Sequence, residues 1–236
     1  MIATYKILSA ALCYPTAEFQ AATADLVAAL EAENLLPAPQ TKGLAVLLRE
    51  IGTGDLLETQ SRYVDLFDRT RSLSLHLFEH VHGESRDRGQ AMVSLLERYR
   101  AAGLDLSANE LPDYIPLFLE FLSTLPPKEA RAMLAETSHI LFALGERLRK
   151  RQSAYAAIME ALVTLSPATP DADALAALTA TNVENPNDTR AIDQAWEESE
   201  VRFGPGENND GGCPRAAEIV QRMETVRPAH ISGAPK

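Results

Sequence analysis

Cysteine is scarce in this chain: Cys13 and Cys213, 200 positions apart, are the only two in 236 residues. Thiols so placed form no metal-type pair and suit a reducing compartment, which excludes a disulfide scaffold. No apolar run approaches the roughly 18 residues that a spanning helix needs. The opening MIATYKILSAALCYP has no basic leading region, and Cys-Tyr-Pro stands where a cleavage site would carry small residues. It reads as a first core helix, not a signal peptide. Cations are also short, with 22 Lys+Arg against 33 Asp+Glu and a net charge of −11. That balance argues against nucleic acid or an anionic membrane surface as the main partner and favours a basic one. There is no phosphate loop, nicotinamide fingerprint or Ser-His-Asp order, and Gly52-Thr53-Gly54 lacks both a third glycine and a preceding strand. It is a turn. Sustained two-residue alternation is missing as well, so no segment reads as a strand.

What the chain does have is helical periodicity over an apolar content of 46%, ample for a core. Residues 2–12 read as a helix stopped by Pro15, and 17–33 as a helix with Phe19, Leu26 and Leu30 on one face. Residues 41–51 follow, then 55–67 with Asp55 as N-cap and Glu58 three residues on. Two helices, 73–82 and 85–102, flank Gly83, and Gly103 sits where a helix C-terminal glycine is expected. Residues 113–125 place Pro116 in a first turn, where proline does least harm. Residues 129–151 read as one long helix with Arg147, Arg149, Lys150 and Arg151 at the end that favours cations. A last helix spans 153–165. Cys13 is expected to be buried packing on an apolar helix face, and His139 a core or boundary histidine.

Composition changes after Ser166. From Pro167 onward there are 12 Asp+Glu against 6 Lys+Arg, and prolines, glycines and asparagines multiply. The expected fold is therefore all-α. A compact multi-helix domain covers residues 1–165, and an acidic C-terminal segment covers 166–236, helical at about 188–203 and otherwise flexible. Trp196 is expected to staple that segment to the body.

The densest chemistry lies in residues 77–122. Phe78 to Arg88 alone packs two histidines, three carboxylates and two arginines into eleven positions. An amphipathic helix follows, then a Leu-Pro-Asp turn and a second apolar helix. FEHVHGESRDRGQAM followed by ELPDYIPLFLEFL resembles the signature of the nitrate reductase delta subunit family. These are NarJ-type molybdenum cofactor assembly chaperones, within the wider group of all-helical redox enzyme maturation chaperones. Similarity extends upstream through Tyr63-Val64-Asp65-Leu66-Phe67-Asp68-Arg69. One departure stands out: the family pattern has His after Leu-Pro-Asp, and this chain has Tyr114.

The resemblance implies a cytoplasmic protein that is not an enzyme and holds no cofactor or metal of its own. It implies binding to the N-terminal region of the apo catalytic (alpha) subunit of a respiratory nitrate reductase. The chaperone would assist molybdenum cofactor insertion into that client before membrane docking, and be absent from the finished enzyme. Cofactor-biosynthesis proteins are further expected partners; nucleic acid binding and membrane insertion are not expected. The family match places Glu79, His80, His82, Glu84, Arg86, Asp87, Arg88 and Gln90 in one client-binding cluster, with Asp113 and Tyr114 opening the opposing helix. Leu117, Phe118 and Phe121 follow at a spacing that can line a groove. A basic, amphipathic client helix would lay its apolar face there and its cations on the carboxylates. His80 and His82, with an unperturbed pKa near 6.5, would then weaken binding as pH falls.

Two other readings stay open. Maturation of a different molybdoenzyme is one. The other starts from His76-Leu77-Phe78-Glu79-His80, which matches H-x-x-E-H, the inverted zinc-peptidase spacing that sets two imidazoles on one helical face. A zinc-dependent hydrolase would need a third protein ligand and an open position. His82 points about 200° away from His80 on a helix, which leaves a distant ligand such as Glu110 or Glu120, and nothing in the sequence favours one. A blander account lets Glu84, Arg86, Asp87 and Arg88 pair among themselves, at ~1 kcal/mol or less per surface pair.

Overall fold

Each helix begins and ends where local chemistry directs it. The computed structural model describes residues 2–82, 86–106 and 110–168. Helix α1 (Ala3–Ala11) has no cap of its own. The Glu33 carboxylate supplies one from the end of α2 (Ala17–Glu33), accepting from Ala3 N at 2.8 Å and Thr4 N at 2.6 Å. An anion at a helix N-terminus satisfies orphan amides and complements the dipole. Thr16 caps α2 through Phe19 N, and α3 (Ala38–Thr53) lies against it. They approach closely at Gly52, where an added Cβ would fall 2.1 Å from Thr23 Oγ1.

Asp55 caps α4 (Leu56–Tyr63), its Oδ1 accepting from Glu58 N at 3.0 Å, as the spacing predicts. The ladder then widens into a π-helical turn, Val64–Asp68, and a 3-10 turn, Arg71–Leu73, follows. Helix α5 (Leu77–His82) starts four residues later than predicted, because 74–76 run extended. Helix α6 (Arg86–Ala101) ends at Gly103, whose φ of +79° favours glycine. Helix α7 (Ile115–Thr124) carries Pro116 in its first turn.

The long helix expected over 129–151 is two helices. Thr137 breaks it into α8 (Pro127–Glu136) and α9 (Ser138–Lys150). Its hydroxyl donates to Leu134 O at 3.0 Å. That side-chain bond competes with the backbone ladder, and φ −102°, ψ 0° at Thr137 turns the chain. Helix α10 (Ala156–Leu165) completes the set.

Helix α9 packs on α10, α1 on α7, and α3 on both α2 and α10. Helices α7 and α10 form the centre, exposing only Glu120 and Thr124 from one and Glu160 and Thr164 from the other. A helix apolar nearly all round has no solvent face to offer and must be enclosed. The described residues are all-α, and none of their helices is long and apolar enough to cross a membrane. The expected helix at 188–203, Trp196 and the acidic segment from 169 onward lie outside the described residues. Cys13 corrects an expectation: it follows the end of α1 and is exposed. Its Sγ still donates to Ser9 O at 3.4 Å. Partial burial, then the Glu110 and Glu120 carboxylates, push the thiol pKa up, so it stays protonated.

Candidate functional site

Two distant stretches pair through an isolated backbone bridge and build the site. Leu77 N donates to Asp113 O (3.0 Å), Ile115 N donates to Leu75 O (2.8 Å), and His76 faces Tyr114 in an antiparallel bridge. This bridge is what ties the start of α5 to the start of α7.

Asp113 is the hub. Its residue is fully buried, and Oδ2 accepts from Phe78 N at 3.1 Å, so it caps α5 from across the bridge. Oδ1 lies 3.3 Å from His76 Nδ1, and Arg88 Nη2 stands 4.0 Å from Oδ2. Arg88 is mostly buried, and its Nε has no hydrogen-bond partner. Tyr99 donates to Pro112 O at 2.7 Å, which fixes the turn just before Asp113. A buried carboxylate needs such a set of donors to offset its lost hydration.

A second set of bonds organises the other side. Ser74 Oγ and Arg71 Nε (3.3 Å) both donate to the Glu79 carboxylate. His80 Nε2 donates to Ser74 O at 2.8 Å. A carbonyl only accepts, so the proton of neutral His80 sits on Nε2. Burial pushes the His80 pKa below its ordinary value; the Ser74 bond opposes this and the Arg147 charge adds to it. His80 therefore favours the neutral form around pH 7 more than a free imidazole does. Arg147, 4% exposed, donates to Ser72 O at 2.7 Å, and Arg151 donates to Thr70 Oγ1 at 3.1 Å. These two arginines pin the 70–74 segment to α9.

The other expected residues divide. Tyr114 is half-buried, its ring 5.4 Å from His76; the Tyr63 hydroxyl donates to Leu12 O. Gln90 is exposed. Leu117 is partly buried against the core. Phe121, 3% exposed, stacks on Tyr99 with ring centroids 4.6 Å apart, so it packs the interior. His82 closes α5, and Arg86 and Asp87 open α6; Glu84 lies outside the described residues.

Phe118 does reach a cleft. An open groove of about 330 Å³ runs between α5, α6 and the α8–α9 junction. Its apolar lining includes Phe78, Val81, Leu95, Phe118, Met133 and Ile140. Val81 is 50% exposed there. Arg98 and Glu136 line it too and pair with each other at 3.7 Å. Met133, Glu136 and His139 were not foreseen as site residues. Nothing in the sequence brings α8 and α9 to α5; only packing does.

The H-x-x-E-H stretch is not one helical face. His76 precedes α5 in the bridge to Tyr114, and the three side chains are directed to three separate partners: Asp113, Ser74 with Arg71, and the Ser74 carbonyl. Among the described residues, no three His, Cys, Asp or Glu side chains are grouped to hold a metal ion.

This hub and groove fall within a stretch that known proteins share. A family model described as nitrate reductase delta subunit matches residues 15–160. The chain is 43% identical over 211 residues to the nitrate reductase molybdenum cofactor assembly chaperone NarJ of Escherichia coli K12, covering 89% of this chain and 87% of that protein. It is 47% identical over 149 residues to the probable assembly chaperone NarW of the same organism, covering 63% and 64%. Identity to the probable chaperone NarJ of Bacillus subtilis is 29% over 167 residues, covering 68% and 86%. The chain therefore belongs to the nitrate reductase delta subunit family.

Proposed function

We propose that this protein is a nitrate reductase molybdenum cofactor assembly chaperone. It binds the N-terminal region of the apo alpha subunit and keeps it competent for cofactor insertion before membrane docking. It acts in the cytoplasm, catalyses no reaction, carries no cofactor itself and leaves the finished enzyme. One observation carries the reading: 43% identity to a NarJ chaperone runs over nearly the whole of both chains.

The groove supports a peptide-binding role. An amphipathic helix presents apolar residues on one face, and Phe78, Val81, Phe118 and Met133 offer it an apolar seat. The chain's net charge of −11 favours a basic client through long-range attraction. Glu79, His80 and Asp113 shape the seat from behind, since their polar atoms are already engaged within the protein.

Capture of the full chain from its host, with mass spectrometry of the bound protein, tests the client's identity. A different molybdoenzyme in the eluate would replace nitrate reductase in this reading. Calorimetry with the client's N-terminal peptide tests the seat. Val81→Asp places a charge on an exposed, apolar cleft residue and is expected to weaken the peptide at least tenfold with no loss of helicity. Wild-type affinity in Val81→Asp moves the seat elsewhere.

A further inference from the structure

A second cleft, of about 320 Å³, shares no lining residue with the first. It opens where the end of α3, the α4 and π-turn region and the α9–α10 turn meet. Tyr155 lies in its wall, 7% exposed, and its hydroxyl is buried with no hydrogen-bond partner. The ring cannot swing away: Phe67 meets it edge-on at 5.1 Å and Tyr63 at 6.4 Å. Leaving a buried hydroxyl unpaired costs roughly 1–3 kcal/mol. Such a group calls for an explanation, and a polar partner from outside the fold is one that the cleft beside it can supply.

The charges at this cleft select the kind of ligand. Arg62 and Glu50 pair with each other at 2.7 Å, and both act on the Tyr155 hydroxyl. Arg151 and Asp65 line the cleft as well, so two cations stand against two carboxylates. An anion drawn to Arg62 meets Glu50, and a cation drawn to Glu50 meets Arg62. Either must break an existing pair to gain one. A neutral group loses nothing. Leu47, Ile51, Leu66 and Ala154 add an apolar wall. The phenol itself is neutral at physiological pH, because burial pushes its pKa up.

We infer that this cleft binds a compact, uncharged ligand of the amide class, whose carbonyl accepts a hydrogen bond from Tyr155 Oη while its apolar body lies on Leu47, Ile51 and Ala154. The π-helical turn fits this reading, since such bulges inside helices occur often at ligand sites. The inference stands apart from the client groove, and neither depends on the other.

Three probes of one shape and different charge test it on the full chain: benzamide, benzoate and benzamidinium. Saturation-transfer NMR and thermal shift report binding to wild type, Tyr155→Phe and Ala154→Leu. Benzamide is expected to bind wild type, and both charged probes at least about tenfold more weakly. Tyr155→Phe removes the unpaired hydroxyl, so it should melt at or above wild type while losing about five- to tenfold in benzamide affinity, the worth of one hydrogen bond. Ala154→Leu keeps the phenol but fills the cleft and should abolish binding. Equal benzamide affinity for wild type and Tyr155→Phe overturns the inference. Preference for benzoate or benzamidinium also overturns it, as does no binding of any probe.

Discussion

Replacing Asp113 by alanine tests whether the buried hub holds the fold or waits for a client. The carboxylate caps α5 through Phe78 N at 3.1 Å, and losing an N-cap costs ~1 kcal/mol. His76 Nδ1 loses its carboxylate partner at 3.3 Å as well, at a further ~1–2 kcal/mol. Arg88 loses the Asp113 counter-charge, but at 4.0 Å and with 22% of its side chain exposed. Breaking a fully buried pair costs about 3–5 kcal/mol, so a discounted contribution of ~1 kcal/mol is appropriate here. The sum is about 3–4 kcal/mol, a large share of a domain's typical 5–15. At roughly 2–4 °C per kcal/mol for a body of this size, the melting temperature should fall by about 6–16 °C. Asp113→Asn keeps an oxygen for Phe78 N–H and should lose about half as much. Circular dichroism melts of the full chain at pH 7.5 measure both variants. An Asp113→Ala protein that melts within about 2 °C of wild type refutes the structural role. Were that same protein to lose its client peptide, the carboxylate would belong to the binding surface instead.

Two further outcomes follow from the same structure. His80 has its folded pKa below the unfolded value near 6.5. As pH drops below about 6.5 the unfolded chain takes up a proton that the folded one resists, so stability falls with acidification. His80→Gln keeps an amide donor for Ser74 O and removes the titration; denaturant melts at pH 7.5 and 5.5 should show a smaller pH loss than wild type. An unchanged loss assigns it to other groups. Truncation after Phe203 removes a stretch rich in chain breakers and is expected to shift the melting temperature by no more than a few degrees. A larger drop means that the removed residues pack on the body.

Much of this protein was legible in local chemistry. Helices α1, α2, α7 and α10 fall within a few residues of their predicted spans, because apolar period, proline positions and Asp55, Gly103 and Pro116 are signals that act within a few residues. The charged run at 78–88 and the Leu-Pro-Asp turn were recognisable for the same reason, and they carried the family resemblance. Other features needed the fold. Thr137 offers no breaker that separates it from an ordinary helical threonine, so the α8–α9 break was missed. The late start of α5 follows from pairing of 75–77 with 113–115, a contact between distant stretches that periodicity along one stretch cannot encode. The same holds for the direction of each polar side chain. A sequence shows that Asp113, His80 and Arg147 are polar or charged, but burial decides that Asp113 caps a helix 35 residues away, that His80 favours its neutral form and that Arg147 reaches Ser72. Burial belongs to the packed chain: a buried charge persists only where distant donors and acceptors converge on it.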